Sequence, residues 1–320
     1  MAGVSGCKAL GVVLLAVLAI PLYYTFMPPQ VHEVKGKCAV IAGASTGIGV
    51  QIAHVLASEG ISKLVITARS KEKLDAVAAN ITKHYQETQV FAVKSDVSKP
   101  EDRTALAETV AKTFGSCPTI LVNNAGVEYF LHMELQSVKP KIDQMIDINI
   151  RGLIHLTNDF LPMLIKSGGH IVNIASLAGK ATGIGVNVYA ATKYAVVGFS
   201  LNLRADMRHR KLGVSVHCVM PGFVTEAGMG DDMGKQIGLP MESVTDLAGF
   251  SRPIDTANAV VEAIKYDHPE MIVNSLPIRP LTVIQTIFPR VWDLFLELPL
   301  PLVQRSTAGV DKVTDYQSQK

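Results

Sequence analysis

The feature that most constrains this chain is a repeated exchange between short apolar runs and helical segments, beginning near Lys37. The runs are KCAVIAG, KLVITAR, QVFAVKSD, TILVNNAG, HIVNIAS and VSVHCVM. They are rich in β-branched residues and mostly lack polar–apolar alternation, the pattern of strands buried on both faces. Between them lie GIGVQIAHVLASEG, KEKLDAVAANITKHY, PEDRTALAETVAKTFG, a long helical stretch from about Lys139 to Lys166, and another from Val188 to about His209. Strands that alternate with helices predict an α/β fold, a doubly wound parallel β-sheet.

A chain of 320 residues suits one large α/β domain with appendages. Residues 1–30 contain an uncharged run, Ala9 to Met27, long enough to cross a hydrocarbon layer of about 30 Å. Tyr23, Tyr24 and Phe26 would lie at its interface. The run is read as a single-pass N-terminal anchor, with a cleaved signal or an interfacial helix as open alternatives. Residues 31–275 form the folded α/β domain. Residues 276–320 are an apolar extension broken by prolines, fit for an amphipathic surface segment, and a polar tail.

Composition excludes several classes. Thirty basic against 28 acidic residues leave a net charge of +2, with no basic field to hold nucleic acid. The nine histidines are scattered without ligand spacing, so no metal is expected. Cys7, Cys38, Cys117 and Cys218 form no CxxC pair and are expected as buried reduced thiols.

The first chemical signal is AGASTGIG, Ala42 to Gly49, between a strand and a helix. Glycines let the backbone turn tightly against a pyrophosphate, and a helix N-terminus presents unpaired N–H groups and a positive dipole end. Ser45 and Thr46 add hydroxyl donors. The second strand ends in ITARS, where a fold preferring NAD places an acid for the ribose hydroxyl. Arg69 stands at that tip beside Ser70, a pairing suited to a 2′-phosphate. Further along, Tyr189 and Lys193 are four apart on a predicted helix and share a face. The ammonium is expected to lower the phenol pKa and make a usable proton donor and acceptor. The same spacing recurs at Tyr316 and Lys320, so the pair gains weight only from Ser176, which ends the strand HIVNIAS.

Over roughly Lys35 to Asn274 the chain resembles the short-chain dehydrogenase/reductase family. GASTGIG (Gly43 to Gly49) resembles its phosphate loop, Asp96-Val97 its adenine contact, and Asn123-Asn124-Ala125-Gly126 its NNAG motif. Asn149, Ser176, Tyr189 and Lys193 resemble its catalytic tetrad, and Pro221-Gly222 the turn beside the nicotinamide. Cofactor contacts are thus expected from Gly43, Ser45, Thr46, Gly47, Ile48, Gly49, Arg69, Ser70, Asp96, Val97, Asn123, Ala125, Tyr189, Lys193, Pro221, Gly222 and Thr225. Two departures stand out. Ala42 replaces the family's usual Thr, and Thr225 comes one position early, with Glu226 in the Thr position, which puts its contact with the nicotinamide in doubt.

The resemblance implies an NADP(H)-dependent oxidoreductase that interconverts a carbonyl and an alcohol. Tyr189 would donate the proton, Ser176 hold the substrate oxygen, Lys193 bind the nicotinamide ribose, and Asn149 position a relay water. Met229, Met233, Ile237, Leu239 and Met241 suggest an apolar lid, hence a lipophilic substrate such as a sterol, retinoid or lipid-derived ketone. TARS and SLAGK together with the anchor are similar to membrane-anchored hydroxysteroid dehydrogenases. The expected location is the endoplasmic reticulum membrane, and a homodimer is left open. The rivals are a reductase of 3-ketoacyl thioesters or long-chain keto bases and a non-catalytic membrane scaffold.

Overall fold

The computed structural model describes residues 31–297 apart from 118, 132, 134–135, 182–184 and 226–248. The apolar run Ala9 to Met27, the expected lid and the polar tail lie outside the described residues. β1 (Cys38–Ala42) is followed by α1 (Gly47–Ser58), β2 (Lys63–Ala68), α2 (Lys71–His84), β3 (Gln89–Lys94), α3 (Pro100–Phe114) and β4 (Thr119–Asn123). The second half holds α4 (Lys139–Ile146), a π-helical segment (Asp147–Gly152), α5 (Leu153–Ser167), β5 (His170–Ile174), α6 (Asn187–His209) and β6 (Ser215–Pro221). Two short strands, β7 (Phe223–Val224) and β8 (Phe250–Ser251), precede α7 (Pro253–Lys265) and β9 (Glu270–Val273). Two helices, α8 (Arg279–Ile287) and α9 (Pro289–Glu297), end the described chain.

Seven strands form one sheet in the order β3-β2-β1-β4-β5-β6-β9, every pairing parallel. The expected doubly wound sheet is present. Its apolar strand composition follows from burial on both sides. Along β1, Ala39 and Ile41 join the core under α1, α2 and α7, with Ile52, Leu56, Leu74 and Val260. Cys38, Val40 and Ala42 join the opposite core under α3, α5 and α6, with Val110, Phe160, Leu164 and Met207. Each Val, Leu, Ile, Phe or Met side chain among them contributes roughly 1.5–3 kcal/mol when fully buried. Helix ends match the local chemistry. Pro100 opens α3 with Glu101 and Asp102 in the first turn, and left-handed Gly168 (φ 64°) closes α5.

The cysteine expectation needs correcting. Cys38 and Cys117 are joined by a disulfide, with Cα atoms 5.9 Å apart. Register explains it: Cys38 pairs with Thr119 across β1 and β4, and Cys117 precedes Thr119 by two residues at the same sheet edge. Cys218 is free and buried, and Cys7 lies outside the described residues. The C-terminal extension forms α8 and α9 as an amphipathic pair, with Val283, Ile287, Phe288, Val291 and Leu294 exposed.

At the end of the sheet opposite the strands' carboxyl edge, His170 and His217 stack, with Nδ1 of His170 3.2 Å from Nε2 of His217. Nδ1 of His217 donates to the His268 carbonyl at 2.8 Å, so its Nε2 accepts and His170 donates. Burial, with the neighbouring imidazole and Lys37 adding to it, pushes His170 down to about 3. Burial pushes His217 down to about 4, against the His268 carbonyl and Asp267, which pull it up. Both rings are neutral in the fold, whereas in the unfolded chain they titrate near about 6.5. Their contribution to stability is therefore complete above about pH 6.5 and lost as pH falls toward 4 and then 3. Thermal unfolding midpoints should drop between pH 7 and pH 4, and His170→Leu, which binds no proton, should flatten that drop. Equal pH slopes in both proteins would contradict the account.

Candidate active site

The strands end their carboxyl edge around a cavity of about 550 Å³, within the range of small-molecule sites. One end is built by the β1–α1 turn. Gly43 and Gly47 adopt φ of 80° and 58°, conformations that favour glycine. Ser45, Thr46, Gly47 and Ile48 line the cavity. Thr46 caps α1 without a side-chain cap bond, and the helix has no acid in its first turn. The positive end of α1 and its N–H groups thus face the cavity uncompensated, a fit for a phosphate group. A dinucleotide fits further along the same wall. Arg69, Ser70 and Lys73 line it past the end of β2, and the hydroxyls of Thr67 and Ser95, also in the wall, have no partner among the described residues.

Gly49 serves a different purpose. A Cβ there would come within 2.1 Å of the Gly43 carbonyl oxygen and 2.7 Å of Asn124 Nδ2, so the residue closes the turn rather than facing the cavity. The two asparagines of NNAG also part company. Asn123 is buried in the sheet and donates to Thr157 at 2.9 Å and to Asn173 at 2.8 Å; it does not line the cavity. Asn124, not singled out as a cofactor contact from sequence, lines the cavity and ties the turn by donating to the Gly43 carbonyl at 2.7 Å. Asp96 and Val97 line the cavity, and Asp96 Oδ1 accepts bonds from the Ser98 amide and hydroxyl. Ala125, Pro221 and Gly222 are also in the wall. Thr225 is not: its amide and hydroxyl both turn to the Ser251 carbonyl, at 3.0 and 3.5 Å.

The far end brings together Ser176, Tyr189 and Lys193. Ser176 lies two residues past the end of β5 and caps the short turn Leu177–Gly179, where its hydroxyl accepts the Ala178 amide at 3.2 Å. Gly179 lets that turn lie on α6, since a Cβ would meet the Lys193 carbonyl at 2.7 Å. Lys193 Nζ donates to the Ile174 carbonyl at 3.0 Å and lies 5.5 Å from the Tyr189 ring centre. The expected lowering of the phenol does not appear. Burial raises Tyr189 well above a free phenol and the Glu128 charge adds to it, with the hydrogen bond from Ser176 opposing both. Burial lowers Lys193 to about 8, against the Glu128 and Cys218 charges.

Asn149 is buried in the π-helical segment, outside the cavity wall. Its Oδ1 accepts the Val127 amide at 2.8 Å, and its Nδ2 donates to the Val127 carbonyl at 2.8 Å and to Thr192 at 3.1 Å. Both amide hydrogens are spent, so the side chain braces the strand-end loop against α6 and has no hydrogen left to hold a relay water. Glu128, missed from sequence, lines the cavity beside Tyr189 and Lys193.

The profile of the short chain dehydrogenase family matches residues 37–237. The chain belongs to that family. An uncharacterized oxidoreductase of Staphylococcus saprophyticus is 34% identical over 251 residues, which is 78% of this chain and 99% of the relative. The 3-oxoacyl-acyl-carrier-protein reductase of Staphylococcus aureus is 32% identical over 225 residues, 70% of this chain and 89% of that enzyme. Among solved structures, the L-sorbose reductase of Gluconobacter frateurii, complexed with NADPH and L-sorbose, superposes with a TM-score of 0.68 at 26% identity. That match covers 77% of this dehydrogenase and 97% of the reductase.

These relatives correct the expected location. They are bacterial oxidoreductases, from cells with no endoplasmic reticulum, and among the described residues no helix is long and apolar enough to cross a membrane. The single-pass anchor in that membrane is overturned, and none of the three is described as a hydroxysteroid dehydrogenase.

The close approach at Gly49 sets a paired test. Gly49→Ala should destabilise the dehydrogenase by about 1–3 kcal/mol, since the new methyl meets backbone. Gly198→Ala, in α6 with nothing within 4 Å of the new Cβ, should be neutral or raise stability by about 0.5–1 kcal/mol. Chemical denaturation of both variants decides it, and similar effects at the two positions would contradict the packing role of Gly49.

Proposed function

We propose that this dehydrogenase is NADP(H)-dependent and interconverts a carbonyl and a secondary alcohol on a lipophilic substrate. The observation that carries the reading is the meeting of Ser176, Tyr189 and Lys193 at one end of a cavity whose other end holds the α1 N-terminus, Arg69 and Lys73. Gly43, Ser45, Thr46, Arg69 and Ser70 would hold the phosphorylated half of the cofactor, with Arg69 supplying the fork for a 2′-phosphate. When bound there, NADPH would supply a hydride for the carbonyl carbon.

The chain's own residues do the rest. Burial keeps Tyr189 protonated at neutral pH, the state in which a phenol can give its proton to the carbonyl oxygen. Ser176 holds that oxygen. Lys193 spends one of its three hydrogens on Ile174 and keeps two for the ribose of the cofactor and the phenol. Asn149 acts through position by fixing Val127 and Thr192. Val127, Leu177, Ala178, Ala181, Val186 and Phe223 line the cavity, which favours an apolar substrate body. The likeness to a 3-oxoacyl reductase favours a second reading, in which the carbonyl belongs to a 3-oxoacyl thioester.

The test is NADPH oxidation with apolar ketones and 3-oxoacyl thioesters. Tyr189→Phe should lower kcat by at least about 10²-fold on whichever class turns over, the scale of lost general acid catalysis, with NADPH affinity unchanged. Tyr194→Phe, on the same helix but exposed, serves as control. Near-normal turnover by Tyr189→Phe would contradict the assignment.

A further inference from the structure

Two acidic side chains line the cavity, Asp96 and Glu128, and they differ in what they do. Asp96 is spent on Ser98 within its own turn. Glu128 makes no hydrogen bond or ion pair among the described residues, although it is half-buried. Its carboxylate faces the cavity, where it is free to accept a hydrogen bond from a bound molecule.

Its position is set firmly. The preceding residue, Val127, is clamped at both its amide and its carbonyl by Asn149, each at 2.8 Å. The loop runs close to the reaction end of the cavity: a Cβ on Gly126 would sit 3.7 Å from Lys193 Nζ. Val127 and Tyr129, on either side of Glu128, pack with Tyr189, Ala178 and Val186 in one apolar cluster. Glu128 is therefore a single acceptor set among apolar walls, within electrostatic reach of both Tyr189 and Lys193.

We infer that Glu128 is a substrate-recognition residue that accepts a hydrogen bond from a hydroxyl one or two carbons from the carbonyl, so that hydroxy ketones are preferred over plain ketones. This rests on the carbonyl-reducing reading above and narrows its substrate class. A cationic donor fits less well, because Lys193 already places a positive charge beside the same carboxylate. Burial pushes Glu128 up to about 7, with Lys193 pulling the other way. A hydroxyl donor on the substrate favours the ionised form of this carboxylate.

The experiment uses propiophenone, 2-hydroxypropiophenone and 3-hydroxypropiophenone with the whole chain. Calorimetric Kd values are taken with NADP+ bound, where the ketone group cannot be reduced and the absence of NADPH absorbance shows that the probe's own alcohol is not oxidised, and kcat/KM values are taken with NADPH. One hydroxy ketone should exceed propiophenone by at least about 10-fold in both, the scale of a hydrogen bond to a charged group. Glu128→Leu should bring that ratio close to one through loss of the hydroxy ketone alone, and Glu128→Gln, which keeps an acceptor of similar size, should retain part of it. Thermal midpoints confirm that the variants fold. A wild-type ratio near one, or an unchanged ratio in Glu128→Leu, overturns the role of Glu128 and leaves that of Tyr189 standing. Discrimination in the NADP+ complex without turnover would support Glu128 and count against the carbonyl-reducing reading.

Discussion

β1 pairs in parallel with β2 on one side and β4 on the other, and the connections leaving this centre run in opposite directions across the sheet. Parallel strands bring all their carboxyl ends to one edge, and a reversal of strand order opens a crevice there that no helix fills. The β1–α1 turn, the tip of β2, the NNAG loop after β4 and the end of β5 all border that crevice. The β1–α1 turn, proposed to hold phosphate, and Tyr189, proposed to donate the proton, thus share one cavity, although more than a hundred residues separate them along the chain. Two apolar cores, one on each face, hold the sheet beneath this edge.

At the reaction end, burial outweighs charge. A lysine four residues along the helix suggests a phenol biased to ionise, yet in the folded protein burial raises Tyr189 and lowers Lys193. Glu128 pushes both upward, so it holds the phenol protonated and the ammonium charged. Three groups from two segments share one electrostatic problem, and that arrangement suits proton donation in the reducing direction.

Sequence made the fold and the phosphate loop legible because both depend on local pattern: apolar runs too uniform for a half-exposed sheet, and glycines between a strand and a helix. The place of Arg69 on the cavity wall was legible because it directly follows β2, whose carboxyl end lies at the edge of the sheet that borders the cavity. What stayed hidden depends on contacts between distant segments. Asn123 and Asn124 are neighbours in sequence, but alternation at a strand end sends one into the sheet and the other toward Gly43. Asn149 matches a motif whose role cannot be read from its letters, since its hydrogens are committed to Val127 and Thr192. The link between Cys38 and Cys117 follows from the register of β1 on β4, which spacing does not show. Glu128 has no periodic signal, and its character comes from Tyr189 and Lys193 on a helix far along the chain.

The central claim is that the crevice holds a nicotinamide dinucleotide by its phosphates, with Arg69 selecting the 2′-phosphate. Calorimetric titration of the purified chain with NADPH and with NADH tests this most directly. The account predicts one site per chain for each, with NADPH tighter by at least about 10-fold, as expected for a charged hydrogen bond that NADH cannot make. Equal affinities, or tighter binding of NADH, would contradict it.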